Sequence, residues 1–276
     1  MKTRAITGFF FIIVMLASVL AAPLVPMLFD VFYLVLSALC LNEFYSLVKQ
    51  SGASPNRYVG MVAGVLVFCI FWLVNTNDGD PPNTNLLFIL IPVFSLVLIW
   101  ELFKKTSAPF INIAYTFLGI IIIVMPFAFF TATAYLNPYT GANYHFPLGF
   151  LLMLWANDTG AYLVGVKFGR TKLFERHSPK KTWEGFIGGV LIAAGVGVIL
   201  SHFYPELEWY QWVIIALIIS FFGTAGDLIE SMFKRSINVK DSGGILPGHG
   251  GLLDRFDGLF LAAPIVYTYL YFISNS

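Results

Sequence analysis

The sequence predicts an all-α integral membrane protein with about nine transmembrane helices, its N-terminus in the cytoplasm and its C-terminus outside. Three observations predict this class: 58% of the 276 residues are hydrophobic, only 11% are charged, and the apolar residues are gathered in long runs. Soluble domains carry about one quarter charged residues, whereas a run of about 20 apolar residues crosses a bilayer core roughly 30 Å thick as a helix. The formal net charge of +1 does not indicate nucleic-acid binding, so no nucleic-acid partner is expected.

The apolar runs give the individual spans in chain order. They lie at about residues 5–22, 28–47, 58–75, 86–103, 109–136, 147–166, 185–203, 211–233 and 256–273. The fifth run is long and contains Pro126, which predicts a kinked or tilted helix.

The first run has a second interpretation as a cleavable signal peptide. MKTRAITGFFFIIVMLASVLAAP has a basic start, an apolar centre and a small-residue end. Its apolar part is long, however, Pro23 follows the small residues, and the next span begins almost at once. These features favour a retained helix, and cleavage would leave the remaining topology unchanged.

The positions of the basic residues predict the orientation. All 16 Lys and Arg residues lie before the first span or in a loop that joins an even-numbered span to the next odd-numbered one. The opposite loops carry acidic residues instead, namely Asp78, Asp80, Glu206 and Glu208. Because cytoplasmic loops are enriched in Lys and Arg, the basic loops are predicted to be cytoplasmic. A wrong span count would scatter the basic residues over both faces, so the regularity supports nine.

The loop at residues 167–185, KFGRTKLFERHSPKKTWEG, is the first of two polar regions. It contains six basic residues and leads into the seventh span. Its end, SPKKTWEG, is typical of a helix start, with a Ser or Thr cap and Glu184 in the first turn. Cations and free N–H groups at a helix start suit phosphate oxygens. An anchor for anionic lipid is the alternative, and this loop alone does not choose between them.

The second polar region, GTAGDLIESMFKRSINVKDSGGILPGHGGLLDRFDG, joins the eighth and ninth spans. Four of its residues recur at spacings of three and four and therefore share one helix face: Asp227, Glu230, Ser231 and Lys234. Asp254 and Asp257 are three apart at the start of the ninth span, and Asp158 lies within the sixth. An ionisable group inside a span costs about 2.5 to 3.5 kcal/mol on insertion scales, which indicates a functional role.

Carboxylates on adjoining helix ends, next to cations, suit a divalent metal together with a polyphosphate. Mg²⁺ takes one or two carboxylates plus phosphate oxygens and waters, and the glycines of GGILPGHGG let the backbone pass close to a ligand. In the alternative interpretation, Asp227 pairs with Lys234 or Arg235 and Asp254 pairs with Arg255, only to neutralise a loop at the membrane edge. The combined pattern favours the metal and phosphate site.

The segment SMFKRSINVKDSGGILPGHGGLLDRFD, residues 231–257, resembles the signature of the phosphatidate cytidylyltransferases, also called CDP-diacylglycerol synthases. That signature is a Ser, then Lys-Arg, Lys-Asp, Pro-Gly-His-Gly-Gly, Asp-Arg and a final Asp. SPKKTWEG and the NDTGAY segment of the sixth span are also similar to this family. The N-terminal half is similar only in hydropathy, so the resemblance depends on about residues 155–258.

The resemblance implies that CTP and phosphatidic acid react to give CDP-diacylglycerol and pyrophosphate, with Mg²⁺ as the cofactor. It also implies a homodimer in the cell (inner) membrane, in contact with membrane lipid, with the active site on the cytoplasmic side. On this basis the chain divides into N-terminal transmembrane helices, residues 1–136, and a C-terminal catalytic region, residues 137–276. The catalytic region holds the cytoplasmic loops 167–185 and 234–256.

The resemblance further implies roles for particular residues. The implied catalytic residues are Asp227, Lys240, Asp254 and Asp257, with Asp227 and Asp254 as the metal ligands. The implied substrate-binding residues are Ser178, Lys180, Lys181, Thr182, Ser231, Lys234, Arg235, His249 and Arg255.

Two other functions fit parts of the pattern. In a secondary transporter, Asp158 and Asp227 would bind a coupling ion near the membrane centre, but the two related halves that such a protein needs are not seen. A CTP-using lipid or polyprenol kinase would share the nucleotide and metal needs but transfer the γ-phosphate. The signature at residues 231–257 argues against the kinase.

Overall fold

The protein consists almost entirely of helices in the computed structural model, which describes residues 2–76, 83–136, 142–244 and 250–274. The side chains of residues 2–6 are not among those described. The α-helices are α1 (Lys2–Leu20), α2 (Pro26–Gln50), α3 (Arg57–Asn75), α4 (Leu90–Leu102), α5 (Pro109–Gly119), α6 (Met125–Ala132), α7 (His145–Phe168), α8 (Trp183–Phe203), α9 (Trp209–Ser236) and α10 (Asp257–Ser274). Short 3-10 helices lie at Thr84–Ile89, Thr133–Tyr135 and Leu253–Arg255.

Seven helical stretches of the described residues are long and apolar enough to cross a bilayer, which confirms the all-α integral membrane class. They are Pro26–Gln50, Arg57–Asn75, Thr84–Leu102, Pro109–Tyr135, Trp183–Phe203, Trp209–Ser236 and Asp257–Ser274. The apolar part of α1 is shorter, Thr7–Leu20, and α7 is not among the seven because Asn157 and Asp158 lower its hydropathy. The number nine and the orientation of the termini stay predictions.

The fifth predicted span is one continuous helical stretch, Pro109–Tyr135, in which a short π-helix precedes Pro126. The five residues Ile120–Val124 form a π-helical turn in which the Met125 N–H donates to the Ile120 carbonyl, five residues back. Pro126 then lies in the first turn of α6, where a missing N–H is tolerated. The proline therefore marks a wider turn within the span.

The chain divides into two compact units. The first contains residues 1–144 and 241–255, and the second contains residues 145–240 and 256–276. The core of the first unit is aromatic: the ring of Tyr33 lies 4.8 Å from that of Phe130 and 5.0 Å from that of Phe29. Tyr45 is fully buried, and its hydroxyl donates to the Thr116 carbonyl at 2.8 Å.

The second unit is built from α7, α8, α9 and α10, which approach one another closely at glycines. A Cβ on Gly189 would lie 2.7 Å from the carbonyl oxygen of Asn157, and one on Gly226 would overlap the carbonyl of Asp257. Small residues at helix contacts permit such approach in membranes, where packing drives association. The close approach of α9 and α10 brings their acidic residues near each other.

A two-stranded antiparallel hairpin occupies the predicted loop at 167–185. Its strands are β1 (Lys172–Phe174) and β2 (Ser178–Thr182). SPKKTWEG predicts a helix start with a Ser or Thr cap, and α8 begins within this stretch. The cap is Thr182, whose Oγ1 accepts from the Gly185 N–H at 3.2 Å. Ser178 lies in β2 and does not cap the helix, since the Ser-Pro-Lys-Lys stretch is extended.

Candidate active site

A cavity of about 550 Å³ lies in the second unit, between the hairpin and the helices α7, α8 and α9. Its polar lining includes Asp158, Lys180, Lys181, Thr182 and Asp227. Its apolar lining includes Tyr162, Val166, Leu173 and Phe186. The cavity therefore presents both charged groups and apolar surface to one bound molecule.

Asp227 connects α9 with the hairpin, two elements that belong to separate polar regions of the sequence. Its Oδ2 lies 2.5 Å from Nζ of Lys181, which extends from β2, and its Oδ1 accepts from Ser231 Oγ at 3.2 Å. The side chains of Lys181 and Asp227 are 29% and 33% exposed, so both remain accessible to a ligand in the cavity. The partner of Asp227 is thus Lys181, and not Lys234 or Arg235 as the alternative interpretation expects.

Lys234 and Glu230 form a buried ion pair one turn further along α9. Nζ of Lys234 lies 3.2 Å from Oε2 of Glu230, and the two residues are 9% and 6% exposed. This pairing confirms that the polar residues of α9 share one face. Arg235 is exposed, and its Nη1 donates to the Val239 carbonyl at 3.1 Å.

Asp257 begins α10 near three other acidic residues, two of which pair with lysines. Its Oδ1 accepts from the Gly258 N–H at 2.7 Å, and the carboxylates of Asp227, Glu230 and Asp158 are close enough to repel it electrostatically. Free N–H groups at a helix start offset part of this repulsion. The described residues contain no group of three or more His, Cys, Asp or Glu side chains arranged as a metal site. Mg²⁺ needs fewer protein ligands than that, because phosphate oxygens and waters complete its shell.

The segment at residues 241–255 belongs to the first unit, and two carboxylates accept hydrogen bonds from its described parts, residues 241–244 and 250–255. Oδ2 of Asp254 accepts from the backbone N–H groups of Ser242 at 3.0 Å and Gly251 at 3.1 Å. Oε2 of Glu43, in α2, accepts from the Leu253 N–H at 2.7 Å and from Ser242 Oγ at 3.4 Å. Asp254 is therefore held in a defined orientation by its own segment.

Three glycines of this segment have structural roles beside the predicted approach to a ligand. A Cβ on Gly243 would overlap Oε1 of Glu43, and one on Gly251 would overlap Oγ of Ser242. Gly250 has a φ of +84°, a conformation that side chains other than glycine's rarely adopt. These glycines make room for the carboxylate and the hydroxyl that shape the segment.

The remaining candidates are spread over both units. Lys180 and Lys240 of the second unit and Arg255 of the first are exposed, as the binding of a charged ligand requires. His249 lies outside the described residues, so its predicted contact stays a prediction.

Three buried acids in the first unit were not singled out from the sequence. Asp30 accepts a hydrogen bond from the Tyr135 hydroxyl, and Glu101 accepts from the side-chain amide of Asn112 at 2.8 Å. Glu43 is the third, and it accepts a hydrogen bond from the Leu253 N–H, in the segment at residues 241–255. The signal that identified Asp158, an ionisable residue inside an apolar run, would have found all three.

Comparison with known proteins extends the similarity to the whole chain. The family model described as "Cytidylyltransferase family" matches residues 2–273. The phosphatidate cytidylyltransferases of Staphylococcus aureus (strain COL) and Staphylococcus saprophyticus are each 33% identical to this chain, over 96% of it and 97% of the relative. That of Staphylococcus epidermidis is 32% identical over the same shares. The resemblance inferred from residues 155–258 is thereby confirmed, and the chain belongs to the cytidylyltransferase family.

Proposed function

We propose that this protein transfers the cytidylyl group of CTP to phosphatidic acid, giving CDP-diacylglycerol and pyrophosphate for phospholipid synthesis. The observation that carries the proposal is the 33% identity to phosphatidate cytidylyltransferases over 96% of the chain. The cavity of the second unit supports it, because cations, carboxylates and apolar side chains line one space.

The reaction requires positioning more than proton transfer. The phosphate monoester of the lipid is largely doubly ionised near pH 7, since such groups have a second pKa of about 6. One of its oxygens attacks the α-phosphorus of CTP, a new P–O bond forms, and the bond from the α-phosphorus to the bridging oxygen breaks. Pyrophosphate leaves with the electron pair of that bond, and no general base is needed.

The protein must bring two anions together and offset the charge that develops on the leaving group. In this proposal Lys180, Lys181 and Thr182, which line the cavity, bind phosphate oxygens. Ser178 of the same strand is a further contact that the motif implies. The other contacts that the motif implies are those of Ser231, Lys234, Arg235, Lys240, His249 and Arg255. Asp257 is the remaining catalytic residue that the motif implies, and it lies at the start of α10.

Mg²⁺ is the cofactor in this proposal, and the donor set fits it. The acidic groups around Asp227 are hard oxygen ligands of the kind that Mg²⁺ prefers, and the mutual repulsion of Asp158, Asp227 and Asp257 is of the kind that a divalent cation offsets. Asp227 and Asp254 are the ligands that the motif implies. When bound, the ion would supply charge neutralisation for the phosphates.

The proposed location follows from the substrates. Basic residues are enriched in the loops of the site, which favours the cytoplasmic face of the cell membrane. CTP is water-soluble, whereas phosphatidic acid is confined to the bilayer, and the apolar lining by Tyr162, Val166 and Phe186 suits acyl chains. A homodimer is proposed on family similarity alone.

The test uses purified protein in mixed micelles with phosphatidic acid, Mg²⁺ and CTP labelled at the α-phosphorus. We expect label to enter the lipid phase and EDTA to prevent it. A folded preparation that labels no lipid contradicts the proposal. In that case lipid labelled from γ-labelled CTP would indicate a kinase, and ion uptake into vesicles would indicate a transporter.

A further inference from the structure

We propose that Glu43, on α2, is a positioning residue that holds residues 241–244 and 250–255 together and thereby orients Asp254. The proposal rests on the proposed function, in which Asp254 acts at the reacting phosphates. It assigns an active-site task to the N-terminal spans, which lie outside the motifs at residues 155–258.

The hydrogen bonds of Glu43 reach both ends of the segment. Its Oε2 accepts from Ser242 Oγ, at the start of the segment, and from the Leu253 N–H, near its end. Asp254 makes a second connection of the same kind through the backbone N–H groups of Ser242 and Gly251. Ser242 is thus shared, since its N–H binds Asp254 while its hydroxyl binds Glu43.

The fit around Glu43 supports a dedicated role. Glu43 is 5% exposed, and its Oε1 lies so close to Gly243 and Gly251 that any side chain there would collide with it. Oε1 itself is buried and accepts no hydrogen bond from the residues that the structure describes. Burying a carboxylate costs free energy unless hydrogen bonds replace those lost to water. For Glu43 the donors are the Ser242 hydroxyl and the Leu253 N–H.

The other buried acids of the first unit provide a comparison. Asp30 lies on the same helix as Glu43 and is bound by the Tyr135 hydroxyl. Glu101 is bound by the side chains of Asn56 and Asn112. Among these three acids of the described residues, Glu43 alone has hydrogen bonds to residues 241–255.

The first experiment measures the segment directly. Full-length protein in detergent is compared with Glu43→Ala, with the isosteric Glu43→Gln and with Asp30→Asn, by hydrogen exchange of peptides that cover residues 241–255. We expect faster exchange in these peptides for Glu43→Ala, a smaller increase for Glu43→Gln, which retains one acceptor oxygen, and none for Asp30→Asn. Wild-type exchange in both Glu43 variants overturns the proposal.

The second experiment measures turnover. Displacing a reacting group by about 1 Å costs roughly 100-fold, so we expect kcat of Glu43→Ala to fall by about that factor while KM for CTP changes little. Ser242→Ala, which removes only the shared hydroxyl, should lower kcat less and serves if Glu43→Ala does not fold. An equal increase of exchange throughout the protein, with no selective change at 241–255, assigns Glu43 a general structural role and overturns the proposal.

The two proposals fail separately. If the wild-type protein labels no lipid from CTP, the proposed function is wrong, but the exchange experiment still decides whether Glu43 orders the segment. If the wild-type protein is active and exchange at 241–255 does not depend on Glu43, only the positioning role is wrong.

Discussion

Asp227 is the residue of α9 that contacts the hairpin. Its two oxygens bind Lys181 and Ser231, so one carboxylate organises side chains from two elements. The buried pair of Glu230 and Lys234 lies one turn away. Removing one partner of a buried pair is strongly destabilising, so substitutions at Glu230 or Lys234 must be tested for folding as well as for activity.

We expect Asp227→Asn and Asp254→Asn each to lower kcat by at least about 100-fold, the loss found when one preorganised electrostatic group is removed from an active site. Both variants keep the side-chain volume, so the folded protein should persist in detergent. Initial rates of label transfer from α-labelled CTP, together with thermal unfolding, measure both effects. Near-wild-type turnover would remove that residue from the proposed metal site.

Lys180 in β2 and Arg176 in the turn before it allow a test of charge within the hairpin. Both side chains are exposed, but only Lys180 is among the residues that line the cavity. We expect Lys180→Ala to raise KM for CTP or for phosphatidic acid several-fold, because one charge-assisted contact to phosphate is lost. Arg176→Ala should leave both values near wild type, and equal effects of the two variants would favour a general role in lipid attachment.

At the scale of elements, the contact of α9 with α10 depends on Gly226. A Cβ there would overlap the carbonyl of Asp257, whereas a Cβ on Gly195 of α8 meets nothing. Overpacking costs about 1 to 3 kcal/mol, so Gly226→Ala should lower the unfolding temperature and the activity together. Gly195→Ala should be neutral or stabilising by about 0.5 to 1 kcal/mol. Unfolding in detergent measures both, and equal stabilities would show that α9 and α10 tolerate a wider separation.

The neighbouring residues Gly243 and Gly244 provide a second test of why a glycine is needed. A Cβ on Gly243 collides with Glu43, while one on Gly244 meets none of the residues that the structure describes. An added strain of about 1 to 3 kcal/mol in the transition state would lower the rate by about 5- to 160-fold. We therefore expect Gly243→Ala to lower kcat by about tenfold and Gly244→Ala to cause a smaller loss. The reverse order would mean that ligand approach, and not packing on Glu43, sets the glycine requirement.

At the scale of the whole molecule, an odd number of spans predicts termini on opposite sides of the membrane. A reporter active only outside the cytoplasm should therefore work when fused after residue 276 and fail when fused before residue 1. A fluorescent reporter that folds only in the cytoplasm should give the inverse result. Two termini on the same side would exclude nine spans and require one apolar run to be assigned differently.

Much of this molecule is predictable from local sequence because a membrane helix must bury its backbone bonds within one apolar run. The spans, the cap at Thr182 and the shared face of Asp227 and Ser231 follow from such local rules. The hairpin does not, since its strands are short, polar and charged. The contacts of Glu43 do not either, because their partners lie 199 and 210 residues further along the chain.

The attachment of residues 241–255 to Glu43 has a consequence for exchanging parts between relatives. A fragment that starts at residue 145 would contain every residue of the signature yet lack Glu43, whose carboxylate accepts hydrogen bonds from Ser242 and Leu253. A hybrid that joins the N-terminal spans of one relative to the C-terminal spans of another would have to inherit a compatible acid on its second helix. An active hybrid would therefore need N-terminal and C-terminal spans that are compatible at this contact.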